Sequence, residues 1–162
     1  MNIIKKLPEN LINQIAAGEV IERPSSALKE LLENSIDAGS SEIDIYITDG
    51  GKTIIEVVDN GNGMTADDLK MCLQRHATSK IRDGDLVNIN SLGFRGEAIP
   101  SIGSIADISI DSYDKITNES WKISITNNIL QDIEPSIIRG GTKVTIRDLF
   151  SKVPARLKFL KT

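Results

Sequence analysis

The sequence predicts an α+β domain with helices on one face of a mixed, mainly antiparallel sheet. Three observations carry that prediction. Helical apolar spacing dominates the first half of the chain, and apolar/polar alternation recurs through the second. Tight-turn residues separate neighbouring alternating runs, as hairpins require. Length and composition agree, since 162 residues that are 40% hydrophobic and 26% charged can build one buried core without a disulfide or metal staple. No Pro/Ser/Gly-rich linker and no internal repeat divides the chain, so residues 1–162 are expected to form one domain.

The elements follow in order. Pro8 to Ala17 sets Leu11, Ile12, Ile15 and Ala16 on one side, with Pro8 suited to a first turn and Gly18 to the stop. A clearer helix begins at Pro24-Ser25-Ser26 and ends at Gly39, with Leu28, Leu31, Leu32 and Ile36 as its expected buried stripe. Ile43, Ile45 and Ile47 then alternate with Glu42, Asp44, Tyr46 and Thr48. With the turn Asp49-Gly50-Gly51-Lys52 and the run Ile54 to Val58, this reads as a hairpin. A further helix opens with Thr65-Ala66-Asp67-Asp68, resembling a capping box, and carries Leu69, Cys72, Leu73 and His76 on one face. Pro100, which lacks an N–H, fits only a first turn, so the helix around Glu97 to Ile102 is expected to begin late. Alternation returns at Ile108 and Ile110, at Trp121, Ile123 and Ile125, and at Val144 and Ile146. Asn127-Asn128 suits a tight turn because Asn tolerates positive φ.

Composition also excludes chemistry. With one Cys and one His, a structural zinc cluster, a disulfide framework and a Cys-His dyad all lack residues. His76 and Cys72 follow an apolar stripe and read as packed structural side chains. The N-terminal Lys pair has no apolar run behind it, and nowhere do about 18 apolar residues run together, so neither export nor membrane spanning is indicated and the cytoplasm is the expected compartment. The net charge of −4 is unevenly shared: from Arg139 onward seven basic residues face Asp148 alone. Such an end suits a polyanion, or is simply a solvated terminus.

Three short segments carry the chemistry. Glu30, Asn34 and Asp37 share one side of their helix, nearly opposite the leucine stripe, where a carboxamide oxygen can coordinate a metal ion and a carboxylate one turn away can accept a proton from water. The alternative is a solvated acidic face. Asp59-Asn60-Gly61-Asn62-Gly63-Met64 follows a strand and sets a carboxylate, an acceptor suited to an exocyclic amine, beside glycines that permit positive φ and close approach of a flat ligand. The alternative is an Asp-rich turn held by its own side chains. Gly93-Phe94-Arg95-Gly96 precedes a helix, where exposed N–H groups and the helix N-terminus favour phosphate, and Thr78-Ser79-Lys80 adds hydroxyls and a cation. The alternative for each is a surface loop or helix exit. The segment is not a Walker A loop.

Taken in order, E-x-x-x-N, D-x-G-x-G and G-x-x-G resemble the GHKL ATPase superfamily of gyrase-type topoisomerases, histidine kinases, heat-shock chaperones and MutL mismatch repair proteins. The resemblance is specifically to the MutL branch. It rests on Gln14-Ile15-Ala16-Ala17-Gly18-Glu19-Val20-Ile21-Glu22-Arg23-Pro24, Lys29 to Gly39, Arg75-His76-Ala77-Thr78-Ser79-Lys80, Gly93 to Ala98 and Val153 to Leu160, which span nearly the whole chain.

That resemblance implies a Bergerat-type two-layer α/β sandwich that binds ATP and Mg²⁺. Glu30 would be the general base and Asn34 the Mg²⁺ ligand. Asp59 would take the adenine amine, with Ala38, Gly61, Gly63 and Met64 shaping its pocket and Thr142, after Gly140-Gly141, holding Asp59 and an adenine-side water. Thr78, Lys80, Gly93, Phe94, Arg95 and Gly96 would line the phosphates. It further implies a slow ATPase switch in a homodimeric protein that links MutS-type mismatch recognition to a downstream endonuclease or helicase, with weak DNA contact. In the family a second domain supplies a lysine to the γ-phosphate and a C-terminal part dimerises. Residues 1–162 are therefore expected to bind nucleotide and hydrolyse it poorly alone. A GHKL ATPase of another branch and a nucleotide-independent DNA or protein interaction module are the alternatives. The Gln14-to-Val20 and Gly93-to-Ala98 strings disfavour the first and intact Glu30, Asn34 and Asp59 the second.

Overall fold

The structure, a computed structural model, describes residues 23–73 and 98–151. Helix α1 (Pro24–Asp37) starts with Pro24 in its first turn, where a missing N–H costs nothing. It stops at Gly39, whose φ of +76° is cheap only for glycine. The N–H groups of Gly39 and Ser40 return to the carbonyls of Ile36 and Ser35, a Schellman closure of the helix end.

Strands β1 (Ile43–Thr48) and β2 (Ile54–Asp59) pair as the expected hairpin around a 3-10 turn at Asp49–Gly51. Helix α2 (Ala66–Cys72) is capped by Thr65, whose hydroxyl accepts the Asp68 N–H at 3.1 Å. Helix α3 (Ala98–Gly103) holds Pro100 at the third of its described residues. Strands β3 (Asp107–Asp114), β4 (Glu119–Thr126), β5 (Ile129–Leu130), β6 (Glu134–Pro135) and β7 (Thr142–Arg147) complete the sheet. Asn127 and Asn128, at φ 52° and 67°, make the turn between β4 and β5. The sheet order is β1-β2-β7-β3-β4-β5, with β6 also on β4. Every pairing among the described residues is antiparallel, so the mixed character expected of the sheet has no instance there. The helix expected over Pro8–Ala17, His76 and the residues beyond Ser151 lie outside the described residues.

The register explains the core. Pairings align side chains in rows across the helix-facing side of the sheet. One row is Ile45–Val57–Val144–Ile110–Ile123 and the next Ile47–Ile55–Ile146–Ile108–Ile125. Ile55, Val57, Ile108, Ile110, Ile123 and Ile146 are all but sealed from water against Ala27 and Leu31 of α1, Leu69 of α2, and Ile102 of α3. Each such side chain contributes about 1.5–3 kcal/mol of burial.

Two expectations need correction. Ile36 is 63% exposed: the buried line of α1 is Ala27, Leu31 and Ser35, with Leu28 and Leu32 packed at its flank. The expected stripe thus continues into a serine because the helix end meets a polar part of the sheet. Ile45 and Ile47, at 43% and 49% exposed, share the core-facing side but sit on edge strand β1, past the cover of the described helices.

Candidate functional site

Beyond the two apolar rows, the same face of the sheet ends in a row of different character. Asp59 on β2 pairs with Thr142 on β7, and Thr142 with Ser112 on β3. Strand alternation sets all three on the helix side, under the C-terminal turn of α1. Asp59 is only 8% exposed, and its carboxylate accepts three internal hydrogen bonds. The Ser35 hydroxyl donates to Oδ2 at 2.7 Å, while the Gly61 and Thr142 N–H groups donate to Oδ1 at 2.9 and 3.2 Å. A buried carboxylate needs such donors to offset lost hydration. They also fix the acceptor oxygens in direction.

The loop after Asp59 is tied down at each end. Asn60 accepts the Ser41 and Glu42 N–H groups at 2.8 and 3.0 Å and donates to the Ser41 hydroxyl. The Asn62 N–H donates to the carbonyl of Ala38 at 3.0 Å, joining the loop to the end of α1. The Met64 N–H donates to the Ser112 hydroxyl at 2.8 Å. Asp-rich turn chemistry is therefore present, and it holds a loop anchored to the end of α1, to the start of β1 and, through Ser112, to the polar row.

The glycines are required by the protein's own backbone. A Cβ at Gly63, where φ is +75°, would lie 1.7 Å from the Tyr113 carbonyl oxygen. One at Gly141, φ +66°, would lie 1.7 Å from the Asp59 carbonyl oxygen. Gly61 faces Ser40 and Ala38 at under 3 Å. These close approaches, expected toward a flat ligand, are in the first instance what brings β2, β7 and β3 together.

Glu30 and Asn34 stand one turn apart on α1, both half-buried, each one residue before the buried Leu31–Ser35 line. They border the buried side of the helix, where a position opposite the leucine stripe was expected. Asp37 is exposed. An Asn carboxamide beside a carboxylate fits Mg²⁺, which takes one or two protein ligands and fills its octahedron with phosphate and water. Thr78, Lys80, Gly93, Phe94, Arg95 and Gly96 lie outside the described residues.

Two hydroxyls at this site, one on α1 and one in the polar row, carry no motif in the sequence. Ser35 sits in the buried helical line Ala27–Leu31–Ser35, and a serine there needs a partner. Ser112 is fully buried on an alternating strand directly across from Thr142. In both cases a small hydroxyl at an apolar period was the available signal. Cys72 reads as expected: its thiol donates to the Leu69 carbonyl, and burial, then the nearby Asp68 carboxylate, push it up to about 12. Trp121 packs half-buried against the core.

A helical layer on an antiparallel sheet, with a carboxylate buried where the first helix meets the strand ends, defines the class. Residues 21–146 match the family described as histidine kinase-, DNA gyrase B-, and HSP90-like ATPase, and the chain belongs to that family. Within it the likeness is to MutL proteins, which bears out the resemblance read from the sequence. The chain is 53% identical over 98% of its length to the DNA mismatch repair protein MutL of Bradyrhizobium sp. (strain ORS 278). It is 54% identical, over the same share, to the DNA mismatch repair protein MutL of Sinorhizobium fredii (strain NBRC 101917 / NGR234). It spans about a quarter of the length of these relatives. Among solved structures it resembles the Aquifex aeolicus MutL ATPase domain complexed with ADP, with a TM-score of 0.68 and 29% identity over 88% of this chain and 49% of that one.

Proposed function

We propose that this chain is the ATP-binding switch domain of a MutL-type mismatch repair protein, with adenine bound against the row Asp59–Thr142–Ser112. The observation that carries this reading is the buried Asp59, held by three donors with its acceptor face fixed. A carboxylate accepts only, so it pairs with the adenine amine. Ala38, Gly61, Gly63 and Met64 shape the surrounding pocket, and Thr142 contributes its hydroxyl. On α1, Asn34 would hold Mg²⁺ and Glu30 would take the proton from the attacking water. Mg²⁺ supplies charge neutralisation at the phosphates. Thr78, Lys80 and Gly93 to Gly96 are assigned to the phosphates from the sequence motif alone.

In the whole protein, nucleotide binding would close two such domains in a homodimer, and slow hydrolysis would reopen them. That cycle would link mismatch recognition by a MutS-type protein to a downstream endonuclease or helicase in the cytoplasm, with weak, salt-sensitive DNA contact by the basic end. ADP in the Aquifex aeolicus relative supports the nucleotide part. Calorimetric titration of Mg-ATP into this chain tests it: saturable binding is expected, with loss of about tenfold or more in Asp59→Asn, whose amide presents a donor where an acceptor is needed. Equal binding by both proteins would remove Asp59 from the site.

A further inference from the structure

The loop after Asp59 holds two asparagine-glycine pairs, Asn60-Gly61 and Asn62-Gly63, and the sequence contains no other. Such a pair can react with itself. The glycine nitrogen, once its proton passes to water, attacks the Cγ of the preceding carboxamide, and no Cβ on the glycine stands in the way. The new N–Cγ bond closes a five-membered succinimide while the Cγ–Nδ2 bond breaks and ammonia leaves with a proton from water. One water then opens the ring at either carbonyl, giving aspartate or isoaspartate, the latter with a main chain one methylene longer. In sum a water enters and an ammonia departs, with no oxidation or reduction. The reaction needs a free glycine N–H and a carboxamide able to turn toward it.

The fold treats the two pairs differently. The Asn60 Oδ1 accepts the Ser41 and Glu42 N–H groups, and its Nδ2 donates to the Ser41 hydroxyl at 2.8 Å. Gly61 is buried and gives its N–H to Asp59 Oδ1 at 2.9 Å. Both reacting groups of the first pair are therefore held by hydrogen bonds that must open before they can meet. Asn62 is exposed, and among the described residues neither its carboxamide nor the Gly63 N–H makes a hydrogen bond.

We infer that Asn62-Gly63 is a site of spontaneous deamidation and isomerisation in the folded protein, that Asn60-Gly61 is locked against it, and that the modified loop binds nucleotide less well. The last part rests on the nucleotide reading above. The Asn62 N–H is tied to the Ala38 carbonyl and the Met64 N–H to the Ser112 hydroxyl, so Gly63 alone separates two anchored residues. At Gly63 even a Cβ would lie 1.7 Å from the Tyr113 carbonyl oxygen. The extra methylene of isoaspartate falls between those anchors, has no room, and draws Met64 off Ser112. The aspartate product keeps the chain length but adds a negative charge to a loop set against an anionic ligand.

The test is to hold the 162-residue chain in mildly alkaline buffer, folded or in urea, and to map its peptides by mass spectrometry with the aspartate and isoaspartate forms separated. In the folded chain, conversion at Asn62 is expected to outrun that at Asn60 by at least about tenfold, and in urea the gap is expected to close. Equal conversion of both pairs in the folded chain, or none at Asn62 there while both react in urea, would overturn the inference. Calorimetric affinity for Mg-ATP should fall about threefold or more in the converted chain and hold in Asn62→Gln kept under the same conditions, because glutamine would have to close a larger ring. Full conversion with unchanged affinity would overturn the functional part and leave the nucleotide reading standing. Absence of binding by the fresh chain would overturn that reading and the functional part with it, while the peptide map still decides the modification.

Discussion

The helix-facing side of this sheet carries rows of side chains built on the same strands with the same period, yet they do opposite work. In the rows through Val57–Val144–Ile110 and Ile55–Ile146–Ile108, every side chain is apolar, and away from the edge strand all but the half-buried Val144 are shut off from water. One step further, Asp59–Thr142–Ser112 is buried to the same degree, but each polar atom must find a partner to remain there. The apolar rows tolerate any good packing solution. The polar row permits few, because a buried acceptor left unpaired costs about 1–3 kcal/mol. A core is turned into a site by changing one rung of the ladder, and the backbone around that rung must then be exact in shape.

That contrast can be broken at several points. The largest effect is expected from Gly141→Ala, whose Cβ would enter the Asp59 carbonyl at a φ of +66°. Backbone against backbone cannot be relieved by a side-chain rotation. A loss above about 4 kcal/mol, read by denaturant unfolding, is expected together with loss of nucleotide binding. Ile110→Ala in the apolar rows should cost about 2–5 kcal/mol through its cavity, and lower the thermal midpoint by about 5–15 °C. Its effect on ATP affinity, measured well below the transition, should stay within about twofold. A large affinity loss there would show that the rows are not separable.

Ser35→Ala removes one of the three donors to Asp59, and about 1 kcal/mol of stability is expected to go with it. Unlike Ile110→Ala, it should weaken ATP binding disproportionately to that small destabilisation. The smallest effect concerns Cys72, whose half-buried thiol is pushed up to about 12 from an ordinary 9.0. Folded and unfolded states hold the proton equally below pH 9, so its contribution to stability is complete there. It is lost as pH rises from 9 toward 12. At pH 8 a thiol-reactive dye is expected to label Cys72 more slowly than a free thiol, because a pKa pushed up to about 12 leaves little thiolate, and labelling at the free-thiol rate would contradict that shift.

Much of this was legible in the sequence, for reasons that differ by residue. The hairpin of β1 and β2, the Thr65 cap and the Asn127-Asn128 turn depend on local chemistry, and each formed where local chemistry set it. Asp59 stood out because a carboxylate at a strand end between apolar residues and glycines demands a reason. Ser35 and Ser112 did not, since a serine is neutral to both helix and strand patterns until its register partner is known. Ile36 departs from its sequence pattern for the same reason: its helical spacing fits the stripe, but only the sheet beneath decides where that stripe ends. Ile45 and Ile47 alternate as core residues do, and their exposure follows from strand order, which alternation does not encode.

The central claim is that the polar row is where the adenine base binds, and backbone amide resonances report on it directly. Titration of ADP with Mg²⁺ into isotope-labelled protein should shift the N–H signals of Gly61 and Thr142, which donate to Asp59, and that of Met64, which donates to Ser112. The amides of β5 and β6, at the far side of the sheet, should stay in place. Saturable shifts elsewhere, with Gly61, Met64 and Thr142 unmoved, would contradict the account.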